Sequence, residues 1–256
     1  MRTDVYLFEN GFAESRSKAA DMIRSGIVYI DCKQVTKPSY DITGGNVEIR
    51  GDLMPYVGRG GLKLEHALDH FEIDVSGLTA ADIGASTGGF TDCLLQRGAA
   101  RVYAIDSGSG QLHAKLRSDC RVISMESFNA RNLRADDIGG RVPLAVMDVS
   151  FISQSALYGA VSEILEDNGV FISLIKPQFE VGRQNVGKNG IVKDKKLYQT
   201  VINDLRYRAS LYGIHMKAYT ESPIKGGDGN TEFLALFVKA AEGSKNHYEN
   251  DSYSTE

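Results

Sequence analysis

The segment Ala81-Asp82-Ile83-Gly84-Ala85-Ser86-Thr87-Gly88-Gly89-Phe90 decides the fold class. An apolar run passes through a cluster of glycines into a helical pattern, which is typical of the first strand–turn–helix unit of an open α/β sheet. Helical patterns alternate with the further strand patterns, which lie at 101–105, 122–124, 144–148, 170–175, 215–220 and 231–238. Together with a first strand at 80–84, they predict an α/β domain with a seven-stranded, Rossmann-like sheet.

The glycine turn also predicts a ligand of the nucleoside type. Its spacing is GxxxGG, which differs from the GxGxxG of dinucleotide sites, and it lacks the Lys-Ser/Thr of a phosphate-binding P-loop. Asp106 ends the second strand 22 residues after Gly84, where a carboxylate can hold ribose hydroxyls. This combination favours S-adenosylmethionine over NAD, and a tight packing turn without a ligand is the alternative. The predicted cofactor contacts are Asp82, Gly84, Ala85, Ser86, Thr87, Gly88, Gly89, Phe90, Asp106 and Asp148.

Charged side chains stand at the predicted ends of three strands. Asp148 and Lys176 each follow an apolar strand pattern, and Glu232 opens the last one. In open α/β sheets the site lies at the carboxyl ends of the parallel strands, so Asp148 and Lys176 are expected there. An antiparallel last strand beside the fifth strand would bring Glu232 to the same edge.

This set of charges suits the methylation of a weakly acidic hydroxyl. A ribose hydroxyl must lose its proton as it attacks a sulfonium methyl, and a lysine can accept that proton or stabilise the developing oxyanion. Carboxylates on either side would orient Lys176 and balance its charge. The alternative is a structural salt bridge, because charged residues this deep in a fold are rarely unpaired.

Six motifs follow one another in an order that carries a family resemblance: 14–19, 59–64, 82–92, 148–153, 176–182 and 229–233. From Arg2 to Val238 the chain resembles the TlyA family, the hemolysin A proteins that act as ribosomal RNA 2′-O-methyltransferases. That family is similar to the FtsJ-like methyltransferases, which use a Lys-Asp-Lys-Glu tetrad on a 2′-hydroxyl. The resemblance therefore implies methylation of ribose in ribosomal RNA, with a cytidine as the target.

The tetrad implied by the resemblance is Lys63, Asp148, Lys176 and Glu232, with Lys176 as the proton acceptor. Considered alone, Lys63 would be interpreted as a solvated lysine on the helix before the first strand. Two positions depart from the family pattern. Gly108 replaces a frequent aromatic residue near the cofactor, and Asp31-Cys32 replaces the Asn-Gly turn of the N-terminal hairpin, so a different turn type is expected.

The first 50 residues resemble the alpha-L RNA-binding domain named after ribosomal protein S-four. Asp4 and Ser15 are expected to cap two helices, and short strands follow around Asp31-Cys32, which gives a small α+β domain. The resemblance implies phosphate contacts from basic residues of this domain. The predicted RNA-binding residues are Arg2, Arg16, Lys18 and Arg24, with Lys33 as a further candidate. A small solvated helical cap is the alternative interpretation.

Composition limits the remaining possibilities. The chain of 256 residues has a net charge of −4, and the polar tail at 241–256 contributes four acidic residues against one lysine. The folded part is therefore near neutral, and RNA binding would need a local basic patch. Three scattered cysteines predict a reduced, cytoplasmic protein without a disulfide framework or a metal site. No apolar run approaches the roughly 18 residues that span a bilayer, and no signal peptide is expected.

The predicted organisation is an RNA-binding domain at 1–50, a linker at 51–61, a methyltransferase domain at 62–240 and a disordered tail at 241–256. The expected partner is ribosomal RNA or a ribosomal subunit, and no membrane is expected. Two alternatives remain at this point. The chain could be a non-catalytic RNA-binding or ribosome-assembly protein that kept the fold, or the membrane-lytic protein that the hemolysin name suggests.

Overall fold

The computed structural model describes residues 1–50, 54–241 and 243, and the chain divides into two compact units, Met1–Pro55 and Tyr56–Glu256. Of the predicted linker, 51–53 lie outside the described residues, as does nearly all of the predicted tail. In the second unit Tyr56 is buried and Asp92 accepts a hydrogen bond from the backbone N–H of Val57 at 2.9 Å.

The first unit is a small α+β fold. Its helices are α1 (Thr3–Glu9) and α2 (Arg16–Arg24), and its strands are β1 (Val28–Ile30), β2 (Lys33–Gln34) and β3 (Val47–Ile49), in the antiparallel order β2-β1-β3. Ser15 caps α2 by accepting a hydrogen bond from the N–H of Lys18, as expected. Leu7, Ile23 and Val28 are fully buried in the unit's own core.

Two expectations for this unit are wrong. Arg2, and not Asp4, is the N-cap of α1. Asp4 lies within the first turn of α1, where its carboxylate accepts hydrogen bonds from Arg2 and Arg16. The hairpin turn also keeps the geometry of the Asn-Gly type, since φ is +48° at Asp31 and +65° at Cys32. Two consecutive left-handed residues are what a type I′ turn requires.

The second unit contains the expected seven-stranded sheet, in the order β6-β5-β4-β7-β8-β10-β9. Its strands are β4 (Thr79–Ile83), β5 (Arg101–Ile105), β6 (Val122–Met125), β7 (Val142–Met147), β8 (Leu165–Ile175), β9 (Ile214–Glu221) and β10 (Phe233–Lys239). Strands β4 to β8 pair in parallel, whereas β10 is antiparallel to both β8 and β9. The predicted antiparallel last strand is therefore confirmed.

Helices cover both faces of this sheet. They are α3 (Gly60–His70), α4 (Gly89–Gln96), α5 (Ala114–Arg117), α6 (Tyr158–Ile164) and α7 (Leu197–Ser210). Residues 154–157 form a 3-10 turn before α6, and α6 is short because Leu165 already pairs with Val142 at the start of β8. Helix α5 comprises a single turn.

The central strands are buried on both faces, as parallel strands covered by helices must be. Ile83, Ile105 and Met147 belong to one apolar cluster, and Val102 and Leu144 belong to the other. No helix within the described part of the chain is both long enough and apolar enough to cross a membrane.

Candidate active site

Asp148 and Lys176 form an ion pair at the carboxyl edge of the sheet. Asp148 follows β7 and Lys176 follows the neighbouring strand β8. The Lys176 Nζ lies 2.5 Å from Asp148 Oδ1, and it also donates a hydrogen bond to Ser150 Oγ at 2.8 Å. The Lys176 side chain is 12% exposed and the Asp148 side chain is 23% exposed, so the pair is largely desolvated but still accessible to solvent.

Lys63 and Glu232 form a second ion pair, and this one is buried. Lys63 lies in the first turn of α3, and Glu232 directly precedes β10. The Lys63 Nζ lies 2.5 Å from Glu232 Oε2, and the side chains are only 7% and 3% exposed. Removal of one partner from such a pair leaves an uncompensated charge, which costs about 3–5 kcal/mol. The solvated lysine that the sequence alone suggests at position 63 is therefore wrong.

The register of the sheet brings the two pairs to one edge. Phe233 of β10 lies opposite Ile175 of β8, so Glu232 and Lys176 are neighbours across these two strands. Adjacent strands run about 5 Å apart. The structure thus brings all four residues of the predicted tetrad to one region, as two lysine–carboxylate pairs.

The glycine turn follows β4 and lies against the start of the loop that carries Asp148. The φ angle of Gly84 is +83°, and a Cβ at this position would come within 2.5 Å of the carbonyl oxygen of Asp148. Only glycine permits this approach without displacing the backbone. The turn ends at the N-terminus of α4, where backbone N–H groups favour a carboxylate or phosphate.

A cavity opens between the glycine turn and the Asp148–Lys176 pair. Seven of the ten predicted cofactor residues line the cavity. Six of them belong to the glycine turn and the start of α4: Gly84, Ala85, Ser86, Thr87, Gly89 and Phe90. Asp148 is the seventh, and Lys176 and Ser150 line it as well. Gly58, Arg59 and Gly60 also line the cavity. The sequence predicts a linker at these three positions, and the cluster of Gly58, Gly60 and Gly61 is the signal that could have placed them at the cavity.

Three of the predicted cofactor residues do not line the cavity but support the turn. Gly88 packs against Leu112 and Leu116. Asp106 accepts hydrogen bonds from the N–H groups of Ser86 and Gly108, at 2.8 and 2.7 Å. Its carboxylate thereby joins the end of β5 to the glycine turn.

Asp82 is the third of these residues, and it is completely buried. Its Oδ2 accepts a hydrogen bond from Thr91 Oγ1 at 2.6 Å, while Oδ1 has no hydrogen-bond partner among the described residues. Burial raises the pKa of this carboxyl to about 7, and the charge of Asp148 adds to the increase. Asp82 therefore lies below the cavity as a group that is partly protonated near neutral pH.

Phe151, which sequence reasoning did not single out, is 87% exposed in the loop after β7. Its φ angle is +66°, which is a strained conformation for a bulky residue. The centre of its ring lies 5.2 Å from that of Phe179, in the segment after β8. An exposed aromatic ring thus stands on the same loop as Asp148 and Ser150.

The predicted RNA-binding residues of the first unit are all exposed, but most are paired. Arg2 and Arg16 bind the Asp4 carboxylate at 2.9 and 3.5 Å, and this holds the pKa of Asp4 below its usual value. Arg24 pairs with Asp21 at 3.0 Å. The Lys18 side chain is exposed on α2, and Lys33 is exposed on β2. The arginine side chains are 50–64% exposed and can still reach a phosphate.

Family models match both units. Residues 56–239 match the FtsJ-like methyltransferase model, and residues 1–47 match the S4 domain model. A solved structure from Mesorhizobium loti, an S-adenosylmethionine-dependent methyltransferase, shares the fold with a TM-score of 0.50 at 14% identity, covering 67% of this chain and 95% of that one.

Relatives resemble the chain over nearly its whole length. It is 42% identical to Hemolysin A of Brachyspira hyodysenteriae, covering 93% of this chain and all of the relative. It is also 42% identical to the 16S/23S rRNA (cytidine-2′-O)-methyltransferase TlyA of Mycobacterium tuberculosis. That match covers 91% of this chain and 88% of the relative. A solved structure from Streptococcus thermophilus, named as a putative hemolysin, gives a TM-score of 0.75 at 42% identity. The match covers 94% of this chain and 89% of that one.

Proposed function

The chain belongs to the FtsJ-like methyltransferase family, and we propose that it methylates the 2′-hydroxyl of a ribose in ribosomal RNA. The observation that carries this proposal is the Asp148–Lys176 pair, which stands on the wall of the cavity formed by the glycine turn. A lysine positioned by a carboxylate beside a cofactor cradle can stabilise the developing oxyanion in its charged form, or accept the hydroxyl proton in its neutral form.

The residues present fit S-adenosylmethionine, which supplies an electrophilic methyl group when bound. The backbone of the turn from Gly84 to Gly89 can approach the ligand closely, and the start of α4 favours its carboxylate. Asp106 lies at the end of β5, where a carboxylate can accept hydrogen bonds from ribose hydroxyls. Arg59 also lines the cavity.

In the proposed reaction the ribose hydroxyl hydrogen-bonds to Lys176 Nζ in its neutral form, and this nitrogen accepts the hydroxyl proton as the oxygen bonds to the methyl carbon and the methyl–sulfur bond breaks. Asp148 and Ser150 hold that nitrogen in place at 2.5 and 2.8 Å. Lys63 and Glu232 supply a second fixed pair of charges at the same edge. Their rigid placement lowers the cost of reorganisation around the developing negative charge.

The proposed substrate is inferred from the names of the relatives and from the S4 domain match of the first unit. The Mycobacterium tuberculosis relative is named for a cytidine 2′-O-methyl transfer to 16S and 23S rRNA, and we extend that target class to this chain. The S4 domain match supports RNA binding by residues 1–47. We further propose that the RNA is presented within ribosomal subunits, and a cytoplasmic location stays a prediction.

A lysine substitution tests the proposal. Lys176→Met removes the proton acceptor, so we expect the rate of methyl transfer to ribosomal RNA to fall at least about 100-fold. Binding of S-adenosylmethionine, measured by calorimetry, should persist because the glycine turn is intact. Lys217→Met, which removes an exposed lysine on β9, is the matched control.

The assay uses radiolabelled S-adenosylmethionine with isolated ribosomal subunits, followed by mapping of 2′-O-methyl positions. If the wild-type protein binds the cofactor but transfers no label to RNA, the proposed function is wrong. Full activity of Lys176→Met would instead favour a non-catalytic role for this edge of the sheet.

A further inference from the structure

The segment between the end of β8 and α7 is unusually basic. Residues 182–196, here named the basic segment, carry five cationic side chains and one carboxylate in a chain whose net charge is −4. The cations are Arg183, Lys188, Lys193, Lys195 and Lys196, and all of them are exposed. The folded methyltransferase unit thus has a local positive surface that the overall charge conceals.

These cations have no acidic partner among the described residues, in contrast to eight other lysines and arginines of the second unit. Arg97, Arg121 and Arg208 each form a salt bridge of 2.7 Å with a nearby carboxylate. Within the part of the chain that the structure describes, none of the five cations of the basic segment forms a salt bridge. The one carboxylate of the segment, Asp194, accepts a hydrogen bond from the backbone N–H of Lys196 instead.

The position of two of the lysines opposes the stability of the fold. Lys195 and Lys196 directly precede α7, whose first turn contains no acidic residue. The N-terminus of a helix carries a partial positive charge, so cations there are unfavourable by about 0.3–1 kcal/mol. A pair of lysines at this point is better explained by a ligand that they bind than by the folding of α7.

The basic segment is fixed to the edge of the sheet that carries the candidate site. Asn230, which is 1% exposed, accepts a hydrogen bond from the Val192 N–H at 3.0 Å and donates one to the Gly190 carbonyl at 2.8 Å. Val186 and Val192 form a β-bridge within the segment. Asn230 stands two residues before Glu232, and the segment begins six residues after Lys176.

We propose that the basic segment is an RNA-binding surface of the methyltransferase unit, which takes the phosphates that flank the target nucleotide. This inference rests on the proposed function and deepens it by assigning backbone contacts outside the S4 domain. Exposed cations without an acidic partner, on a segment that Asn230 fixes to this edge of the sheet, would hold the RNA strand by charge alone. Such contacts add affinity without sequence preference and weaken as salt rises.

A triple variant tests the proposal: Lys188→Gln, Lys195→Gln and Lys196→Gln in the full chain. Loss of three phosphate contacts should lower the affinity for purified ribosomal RNA by about 10- to 100-fold near physiological salt. The slope of log K against log salt, measured from roughly 50 to 200 mM KCl, should become shallower by about 2. The midpoint of thermal unfolding should stay equal or rise, since two of the cations oppose the α7 dipole.

The matched control removes three positive charges elsewhere: Arg101→Gln, Arg206→Gln and Lys217→Gln, all exposed and on the second unit. It should change the salt slope much less than the test variant. Methyl transfer at saturating RNA should retain its maximal rate in the test variant, with a raised KM.

If the wild type methylates RNA but the test variant has the same salt slope as the wild type, the inference about the basic segment is wrong and the proposed function stands. Absence of RNA methylation by the wild type would overturn the proposed function instead. If the test variant binds naked RNA normally but binds ribosomal subunits weakly, the basic segment contacts a ribosomal protein and the inference is also wrong.

Discussion

Asp82 is a buried carboxylic acid of β4 that is hydrogen-bonded to Thr91, and no cation among the described residues favours its charged form. Desolvation raises its pKa to about 7, far above the ordinary value of 3.8, because the charged form loses its water without gaining an opposite charge. The neutral form is therefore the one that the fold favours. The stabilisation due to this residue is present in full below about pH 4 and is lost as the pH rises through 7.

This titration predicts the behaviour of Asp82→Asn. Asparagine can still accept the hydrogen bond from Thr91 Oγ1 but does not ionise. The free energy of unfolding of the wild type should fall relative to the variant between pH 4 and pH 7, by about 2–4 kcal/mol. Urea unfolding without cofactor across this range measures the difference.

Asp69→Asn provides a control of opposite sign. Hydrogen bonds from Arg97 lower the pKa of Asp69, so its contribution is lost as the pH falls instead. A difference between the wild type and Asp82→Asn that does not change with pH would contradict a raised pKa of Asp82.

The loop that follows β7 carries strain next to the reacting groups. Phe151 occupies a left-handed conformation that costs about 1–3 kcal/mol for a bulky residue, and its ring covers little surface apart from its contact with Phe179. This strain lowers the free energy of unfolding and is not offset by burial of the ring, so a functional contact of the ring would explain it. A flat aromatic ring beside Asp148 and Ser150 is suited to stack on a base of the substrate RNA.

Phe151→Gly should therefore separate stability from activity. Glycine adopts a positive φ without strain, so the free energy of unfolding should rise by about 1 kcal/mol. The value of kcat/KM for RNA should fall by about 10-fold or more, because one base-stacking contact is worth about 1–3 kcal/mol. Phe151→Tyr keeps both the ring and the strain and should behave as the wild type. Unchanged kcat/KM in the glycine variant would rule out a stacking role.

At the scale of the whole molecule, the two units have separate hydrophobic cores. The core of the first unit is formed by residues between Leu7 and Ile49, and the clusters on the large sheet contain only residues from Tyr56 onward. The second unit also contains every member of the candidate tetrad. A unit with its own core is expected to fold without its neighbour in the chain.

A fragment that comprises residues 55–256 should accordingly fold and bind S-adenosylmethionine with an unchanged Kd. Its affinity for ribosomal RNA should drop, and its salt slope should become shallower, because Arg2, Arg16, Lys18 and Arg24 are absent. Circular dichroism, calorimetry and filter binding measure the three properties. An unfolded fragment, or one with full RNA affinity, would contradict this division of tasks.

The sheet, its glycine turn and the position of Asp148 and Lys176 could be predicted from the sequence, because alternation, strand length and glycine spacing are local properties of the chain. The sequence also indicated the capping of α2 by Ser15. The burial of Lys63 against Glu232, its partner 169 residues away, is evident only in the folded chain. Such a contact depends on how α3 packs over the sheet edge, and no local pattern encodes it.

The same reason explains the other findings that sequence reasoning did not reach. Asp82 and Asp106 both follow apolar residues of predicted strands, yet one carboxylate is isolated in the core while the other binds two backbone N–H groups. The strain at Phe151 and the attachment of the basic segment by Asn230 arise from contacts between loops distant in the chain. Burial, backbone strain and charge pairing are properties of the assembled fold, so they became visible only there.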